Sequence, residues 1–214
     1  MRGSPAFQDR VRWPELMAAS EPLPESFFAR DTVTVARDLL GKLLVHRRRA
    51  GLIVEVEAYL GLEDLAAHAS RGWTARTSVL FGPPGRAYVY LVYGMHECLN
   101  LVAEPDAKPG CVLLRALDPL CGLAEMKKSR PAARRAEDLA SGPGNLTRAM
   151  AVTRRQYGVD VTGGHSSLGV RAWRDAPSME IGASPRVGIR HCADWPLRFF
   201  VRWCCAVSGP LEWR

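Results

Sequence analysis

Two carboxylates and a phenol alternate along one stretch of the chain, Ile53-Val54-Glu55-Val56-Glu57-Ala58-Tyr59-Leu60-Gly61. Val, Ile and Tyr favour a β-strand, and side chains alternate faces along a strand, so Glu55, Glu57 and Tyr59 are predicted to share one face. A carboxylate on such a face can act as a general acid or base. The same pattern is typical of a half-solvated strand whose polar side chains lie in water. The pair alone does not decide between the two.

An arginine interrupts the apolar stretch Cys111-Val112-Leu113-Leu114-Arg115-Ala116-Leu117. A guanidinium in such a strand is costly unless a carboxylate or a phosphate meets it. Arg115 is therefore predicted to pair with Glu55 or Glu57, either within a reaction site or as a structural ion pair. His68 follows the carboxylate strand by a few residues, in a predicted loop with a short helical piece. A single histidine in such a place is more often a structural hydrogen-bonding group than a catalytic one.

Tyrosines are concentrated in the stretch Tyr88-Val89-Tyr90-Leu91-Val92-Tyr93-Gly94-Met95. Tyr88 and Tyr90 are predicted on one strand face, and Tyr93 at the strand end, where it would protrude beside a glycine. In isolation these tyrosines are typical of ordinary sheet packing. Their combination with the carboxylates, His68 and Arg115 favours a binding pocket instead.

The elements that position these residues can be read from periodicity and turn residues. The pattern from Asp31 predicts a helix that Asp31 or Thr32 caps and that ends at Gly41. A strand at 43–45 and the carboxylate strand are predicted to form a hairpin across the basic turn 47–51. The last two strands are predicted at 186–189 and 198–201.

Length and apolar content predict one substantial core and one domain, residues 26–214. Residues 1–25 contain four prolines, Pro5, Pro14, Pro22 and Pro24, among mixed polar residues. They are predicted to form a poorly ordered leader with at most one short helical turn.

The chain carries 29 Lys plus Arg against 22 Asp plus Glu, a formal net charge of +7. This surface favours a polyanionic partner, although solubility or an arginine-rich coding bias would give the same excess. The six cysteines lack C-x-x-C pairs and zinc spacing, so we expect no metal or other cofactor and a reducing compartment. No secretory signal and no apolar run of membrane-spanning length is present, which predicts a soluble intracellular protein.

Together these segments resemble the alkyladenine (3-methyladenine) DNA glycosylases. The resemblance lies in the carboxylate strand with Ala66-Ala67-His68, in the tyrosine segment with Leu99-Asn100, and in the strand that contains Arg115. Ser141-Gly142-Pro143 and Arg186-Val187-Gly188-Ile189 extend it. The resemblance implies a single mixed α/β (α+β) domain with a curved, mainly antiparallel sheet and flanking helices, similar to the C-terminal domain of formyltransferases.

The resemblance also implies base excision from double-stranded DNA that contains alkylated or deaminated purines: 3-methyladenine, 7-methylguanine, hypoxanthine or ethenoadenine. Such an enzyme extrudes the damaged nucleotide into a pocket. Glu57 matches the general base that activates water, with Glu55 in support. Arg115 and the backbone carbonyl of Val187 match groups that hold this water. No nucleophilic amine is expected, so the product would be an intact abasic site.

The other matched residues are implied to bind the flipped base or to replace it in the stack. Tyr59 and Tyr90 match aromatics that sandwich the base, and His68 matches a residue that hydrogen-bonds its edge. Asn100 matches a residue that crowds the exocyclic amine of normal guanine, and the pocket wall is completed by Ala66, Ala67 and Leu113. Tyr93, with Met95, matches the wedge that intercalates into DNA.

The resemblance further implies a monomer with no membrane partner, located in the cytoplasm with the nucleoid in a bacterium or in the nucleus of a eukaryote. The chain departs from the family pattern in its tail, 202–210, and at Thr77-Ser78. The departure in the tail leaves the register of the last strand open but falls on none of the site positions. Three other readings remain open: a non-catalytic nucleic-acid-binding protein, a helix-hairpin-helix glycosylase suggested by Gly142-Pro143-Gly144, and a metal-dependent nuclease using Glu55, Glu57 and His68.

Overall fold

A computed structural model of the protein describes residues 7–105 and 108–209. Its helices and strands follow one another along the chain in this order: α1 (Trp13–Ala18), β1 (Ser20–Pro22), α2 (Glu25–Phe28), α3 (Thr32–Leu39), β2 (Leu43–His46), β3 (Arg49–Tyr59), β4 (Ala87–Val92), β5 (His96–Ala103), β6 (Gly110–Cys121), α4 (Leu123–Ser129), α5 (Pro143–Met150), β7 (Leu168–Trp173), β8 (Ile181–Ser184) and β9 (Arg198–Val201). Short 3₁₀ turns occur at His68–Arg71, Ser78–Phe81, Ala136–Asp138 and Arg154–Gln156.

The strands form one antiparallel sheet in the order β1-β7-β2-β3-β6-β5-β4, with β9 on β3 and β8 on β9. Helices flank this sheet, and one large apolar cluster joins them to it. The predicted fold class is therefore confirmed: a single mixed α/β (α+β) domain around a mainly antiparallel sheet. A mostly helical chain, which a helix-hairpin-helix glycosylase requires, is not what the described residues form.

Strand β3 lies at the centre of the sheet. It pairs with β6 along most of its length, while its other edge pairs first with β2 and then, at residues 55–57, with β9. The register with β6 shifts on both sides of Glu55, as at a β-bulge. Glu55 and Glu57 have no exposed surface. The reading of this stretch as an edge or half-solvated strand is thus wrong, because both edges of the strand are paired and its polar face is covered as well.

Local sequence accounts for the elements around β3. The Asp31 side chain accepts a hydrogen bond from the Thr34 amide at 2.9 Å, so the predicted N-cap of α3 is confirmed. Strands β2 and β3 form the predicted hairpin, with Arg47 in its turn at φ 57°. At the β4 edge of the sheet, β4 and β5 form a second hairpin whose turn contains Tyr93 at φ 50° and Gly94 at φ 69°.

The described part of the N-terminal segment differs from the predicted poorly ordered leader. Residues 13–18 form α1, and residues 20–22 pair with β7 at the edge of the sheet. Pro14 lies in the first turn of α1, where no backbone N–H is needed. Leu16 is fully buried in the main core. Burial of Leu16 and of neighbouring apolar side chains, together with the pairing of β1 with β7, thus ties the segment to the domain; residues 1–6 lie outside the described residues.

The strand predicted at 186–189 is wrong. The strand ends earlier, as β8 at Ser184, and residues 187–188 form a bend. Here the backbone amide of Val187 donates to the Glu57 carboxylate, and the Arg186 side chain is bound by Asp64. The Glu57 carboxylate thus accepts the hydrogen bond that the Val187 amide would otherwise donate to a neighbouring strand. The strand predicted at 198–201 is confirmed as β9.

Replacing Leu16 by Ala should lower the free energy of unfolding by about 2–5 kcal/mol, because it leaves a cavity where α1 meets the core. Glu15→Gln on the exposed side of the same helix is the matched control, expected within about 0.5 kcal/mol of the parent. Urea unfolding measures both. Equal stability of Leu16→Ala and Glu15→Gln would contradict the packing of this segment on the domain.

Candidate active site

A cavity of about 320 Å³ opens beside the second half of β3. Its wall contains most of the predicted site residues: Glu57, Tyr59, Ala66, His68, Tyr90, Tyr93, Asn100, Leu113, Arg115 and Val187. Further wall residues are Tyr88, Val92, Cys98, Cys111, Pro143, Gly188 and Ile189. The fold therefore brings together residues that are separated by up to 130 positions in sequence.

Glu57 is fully buried among the side chains of this cavity and is held through both carboxylate oxygens. Oε1 accepts from the Val187 amide at 2.7 Å and lies 3.1 Å from Nη1 of Arg115. Oε2 accepts from the Tyr59 hydroxyl at 3.0 Å. An ionised carboxylate offers about four acceptor sites. One site on Oε2 is thus left beside the cavity.

Arg115 contacts both carboxylates of β3. Its Nε donates to Glu55 Oε1 at 2.8 Å, and its Nη1 lies 3.1 Å from Glu57 Oε1. The predicted pairing of Arg115 with Glu55 or Glu57 is confirmed, and it extends to both. Burial alone would raise the pKa of the Glu55 carboxyl, but the charges of Arg115 and Arg198 outweigh burial and hold that pKa below its ordinary value.

Tyr59 is held through its hydroxyl and through the face of its ring. Its hydroxyl donates to Glu57, and the guanidinium of Arg186 lies 4.6 Å from the centre of its ring. Arg186 is buried and forms a two-pronged pair with Asp64, with Nη2 2.9 Å from Oδ1. It also donates to the backbone carbonyl of Ala58 at 2.9 Å. This pair connects the loop after β3 to the segment that carries Val187.

His68 lies against two tyrosines. Its Nδ1 is hydrogen-bonded to the Tyr88 hydroxyl at 2.8 Å, and its ring meets that of Tyr90 edge-on, 4.5 Å between centroids. Burial, with the charges of Arg76 and Arg71, lowers the pKa of His68 to about 4. The ring is therefore neutral at physiological pH, and Nε2 is the nitrogen that Tyr88 leaves unoccupied.

Asn100 and two thiols form the deep part of the wall. The Asn100 side chain donates to the backbone carbonyl of Tyr88 at 3.2 Å and is 3.9 Å from the sulfur of Cys111. Burial raises the pKa of the Cys98 thiol to about 11 and that of the Cys111 thiol to about 12. Both thiols are thus neutral at physiological pH and form an apolar part of the cavity wall, as expected of buried cysteines.

The mouth of the cavity lies at the β4–β5 turn. Tyr93 lies there with 87% of its surface exposed, and Met95 with 70%. Tyr93 and Gly94 both have a left-handed backbone conformation in this turn. An aromatic ring that projects from a turn into solvent beside a cavity is not typical of a residue that stabilises the fold.

Comparison with known proteins identifies the family of the chain. A family model described as methylpurine-DNA glycosylase matches residues 26–204, most of the chain. This chain belongs to the methylpurine-DNA glycosylase family. A protein of Burkholderia lata is 45% identical over all of this chain and 99% of its own length. Relatives from Koribacter versatilis (48%, 90% of this chain, 96% of its own) and Methanocella arvoryzae (49%, 82% and 88%) are similar. All three bear the name "Putative 3-methyladenine DNA glycosylase".

Membership confirms the family resemblance and the enzyme class, a hydrolase of the N-glycosyl bond that acts in DNA repair. Among the described residues of this family member, no group of three or more His, Cys, Asp or Glu side chains could hold a metal ion. No helix in the described ranges is long and apolar enough to cross a membrane.

One expectation about site residues is corrected by the geometry. Ala67 does not line the cavity: it precedes the 3₁₀ turn at 68–71, where its side chain is 5% exposed and its carbonyl accepts from Ser70. The tail also contacts Arg115 and Glu55, which sequence reasoning did not address. Ser208 donates through its amide to Glu55 at 2.7 Å and accepts from Arg115 at 3.4 Å. Its position in an atypical tail concealed this contact.

Sequence reasoning also missed the charged residues behind the site. Arg198, with no exposed surface, donates from Nε to Glu55 Oε1 at 2.8 Å, and Asp64 binds Arg186. Arg198 sits in the apolar stretch Arg198-Phe199-Phe200-Val201, the same signal that singled out Arg115. That signal could have found Arg198. Nothing local distinguishes Asp64, because it lies in a polar loop.

Replacing Glu55 by Gln should destabilise the protein by about 3–5 kcal/mol at pH 7, because two buried guanidinium groups lose their shared carboxylate. A carboxyl whose folded pKa is depressed stabilises the protein above its ordinary pKa and loses that contribution as pH falls through the folded value. The stability difference from the parent should therefore shrink below pH 4.5, the ordinary value for Glu55.

Urea unfolding from pH 7 to pH 3 tests this, with the exposed Glu63→Gln as control. We expect that control to follow the parent at every pH. A Glu55→Gln deficit that is absent at pH 7, or that stays constant down to pH 3, would contradict the role of the Glu55 charge.

Proposed function

We propose that this protein removes alkylated or deaminated purines from double-stranded DNA by extruding the damaged nucleotide and hydrolysing its N-glycosidic bond. The candidate bases are 3-methyladenine, 7-methylguanine, hypoxanthine and ethenoadenine. The protein acts as a monomer without a cofactor and leaves an intact abasic site. The observation that carries the proposal is the buried Glu57 carboxylate, held by three donors at the wall of an aromatic-lined cavity.

Glu57 is the general base. With Oε1 engaged by Val187 and Arg115, and Oε2 by one bond from Tyr59, the remaining acceptor site suits a single water. As the base leaves, the sugar gains oxocarbenium character, and the carboxylate takes a proton from the water that attacks the anomeric carbon. Burial in the wall holds the carboxylate in one orientation, which removes the entropic cost of aligning base and nucleophile.

Arg115 and Val187 position this chemistry. Arg115 supplies positive charge beside Glu57 and helps hold the water or a nearby phosphate. The Val187 amide contacts Glu57, which leaves its carbonyl as the candidate second partner of the water. Among the described residues, the wall of the cavity contains no lysine whose amine could attack the sugar. This supports a monofunctional hydrolase.

Tyr59 and Tyr90 bind the extruded base between their rings. Electron-poor alkylated purines gain from aromatic faces, and those that carry a positive charge gain most. Leu113, Ala66 and Asn100 shape the rest of the wall, with Asn100 placed to crowd the exocyclic amine of normal guanine. Charged or weakly paired bases also cost less to extrude, which adds selectivity before the pocket is reached.

His68 reads the edge of the base. Nδ1 is hydrogen-bonded to the Tyr88 hydroxyl. The positive charge of Arg76 lies beside that hydroxyl and favours the arrangement in which the Tyr88 O–H points away from Arg76 and donates to Nδ1. Nε2 then carries the hydrogen of the neutral ring and can donate to a base. Hypoxanthine has an oxygen acceptor where adenine has an amino donor, so this tautomer favours the deaminated base.

Replacing Glu57 by Gln should reduce excision at least about 100-fold, because the amide cannot accept the proton of the attacking water. The Gln side chain keeps an oxygen for Val187 and Arg115, so folding and binding should persist. The measurement is single-turnover excision from duplexes with one hypoxanthine or ethenoadenine and from methylated DNA, with chelator present, read as strand cleavage after alkali.

Cleavage by the parent protein must depend on the alkali step, and binding of both proteins to the lesion duplex serves as the control. Excision by Glu57→Gln at the parent rate would overturn the assignment of the base. If the parent binds but excises none of these lesions, the protein is a damage-binding protein. If chelator abolishes cleavage, it is a metal-dependent nuclease.

Tyr93, with Met95 beside it, is the wedge that fills the gap left by the extruded nucleotide. Tyr93→Ala should weaken binding to the lesion duplex about 10-fold, because the gap in the stack is left empty. Tyr93→Phe keeps the ring and should bind like the parent. Fluorescence anisotropy measures binding, and thermal unfolding should be unchanged because 87% of the Tyr93 surface is exposed. Equal binding by Tyr93→Ala and Tyr93→Phe would rule out the wedge.

A further inference from the structure

Glu55 lies behind the cavity, two residues before Glu57, and every contact it makes is inside the protein. Oε1 accepts from Arg115 Nε at 2.8 Å, from Arg198 Nε at 2.8 Å and from the Ser208 hydroxyl at 2.9 Å. Oε2 accepts from the Ser208 amide at 2.7 Å. One residue of the tail thus occupies both oxygens of this carboxylate.

Ser208 also meets Arg115 directly. Nη2 of Arg115 donates to the Ser208 hydroxyl at 3.4 Å, while Nε is held by Glu55. A guanidinium is planar and rigid, so fixing two of its nitrogens fixes the third. The third, Nη1, is the nitrogen that lies 3.1 Å from Glu57. The position of Ser208 therefore affects the contact with Glu57 through one rigid group, the Arg115 guanidinium.

The tail segment is built to hold Ser208 in place. Ala206 and Val207 have no exposed surface and belong to the main apolar core. The Val207 amide donates to the Cys204 carbonyl at 3.2 Å, and Ser141 donates through its hydroxyl to the Val207 carbonyl at 3.5 Å. The Ser208 carbonyl accepts from Arg198 Nη2 at 3.2 Å. Ser208, which these contacts hold in place, lies 93 residues after Arg115 in the sequence.

We propose that Ser208 is a positioning residue for base excision: it orients Glu55 and Arg115 so that Arg115 Nη1 meets the Glu57 carboxylate. The proposal rests on the function proposed above. Ser208 does not line the cavity and touches no reacting atom. Its loss should slow the bond-breaking step and leave binding of the damaged duplex intact, because the aromatic wall and the wedge are unaffected.

The test compares Ser208→Ala, which deletes the hydroxyl, with Ser208→Thr, which keeps it. Ser141→Ala is the matched control, because it removes another hydroxyl bound to the tail but leaves Glu55 and Arg115 untouched. We expect Ser208→Ala to lower the single-turnover rate about 10-fold, with lesion binding within about twofold of the parent. Ser208→Thr should recover most of the rate, and Ser141→Ala should match the parent.

A second readout does not depend on activity. In protein labelled with ¹⁵N-arginine, the Nε–H signal of Arg115, assigned through Arg115→Lys, should exchange with water faster in Ser208→Ala than in the parent or in Ser141→Ala. If the parent excises no lesion, the proposed function fails, and this signal alone decides whether Ser208 orients Arg115.

Three results would overturn the proposal. One is a parent-like excision rate and parent-like Arg115 exchange in Ser208→Ala. Another is an equal loss of rate in Ser208→Ala and Ser141→Ala, which would mean general loosening of the tail. The third is a loss of rate that follows the loss of lesion binding or the unfolded fraction, as a merely structural role requires.

Discussion

The guanidinium of Arg115 on β6, held between Glu55 and Glu57 on β3, is the interaction on which the site depends. Two carboxylates on one face of a buried strand would repel each other in a medium of low polarity. A single planar cation that reaches both resolves this conflict, because Nε takes Glu55 and Nη1 takes Glu57. Removing that cation would take the neighbouring guanidinium away from Glu57 and would leave Glu55 to Arg198.

The same principle extends through the interior. Among the described residues, the buried carboxylates Glu55, Glu57 and Asp64 meet the buried arginines Arg115, Arg186 and Arg198. Each arginine contacts a carboxylate on or just after β3. A fold that buries charge in this way must also fix geometry, since a buried ion pair stabilises only when its hydrogen bonds are complete. The charges of the interior thus hold the carboxylate of Glu57, the proposed general base, in one place.

Charge and exposure divide the site into two regions. The inner region holds Glu57 between donors from β3, β6 and the 187–188 bend, with neutral thiols and Asn100 beside it. The outer region is the β4–β5 turn, where Tyr93 and Met95 face solvent. The proposed chemistry requires the rigidity of the first region, and the proposed insertion into a duplex requires the protrusion of the second. The sheet joins them, because β6 pairs with β3 on one side and with β5 on the other.

The sequence by itself determined the local elements and most of the site. Alternation placed Glu55 and Glu57 on one face, and the arginine in an apolar strand required a carboxylate partner. Asp31 predicted the helix cap, and glycine beside Tyr93 predicted a projecting turn. Family motifs then supplied the roles of Tyr59, His68 and Asn100, which local patterns alone could not.

Only the tertiary structure decided what depends on distant partners. The bend at Val187 replaces a predicted strand because the Glu57 carboxylate takes its amide. The described part of the N-terminal segment joins the domain through Leu16 in the core and through the pairing of β1 with β7. Ser208 contacts Glu55 across 153 positions of sequence, a pairing that no local period contains. Local patterns fix which face a side chain occupies, whereas the partner of a buried charge is settled only when the whole chain has folded around it.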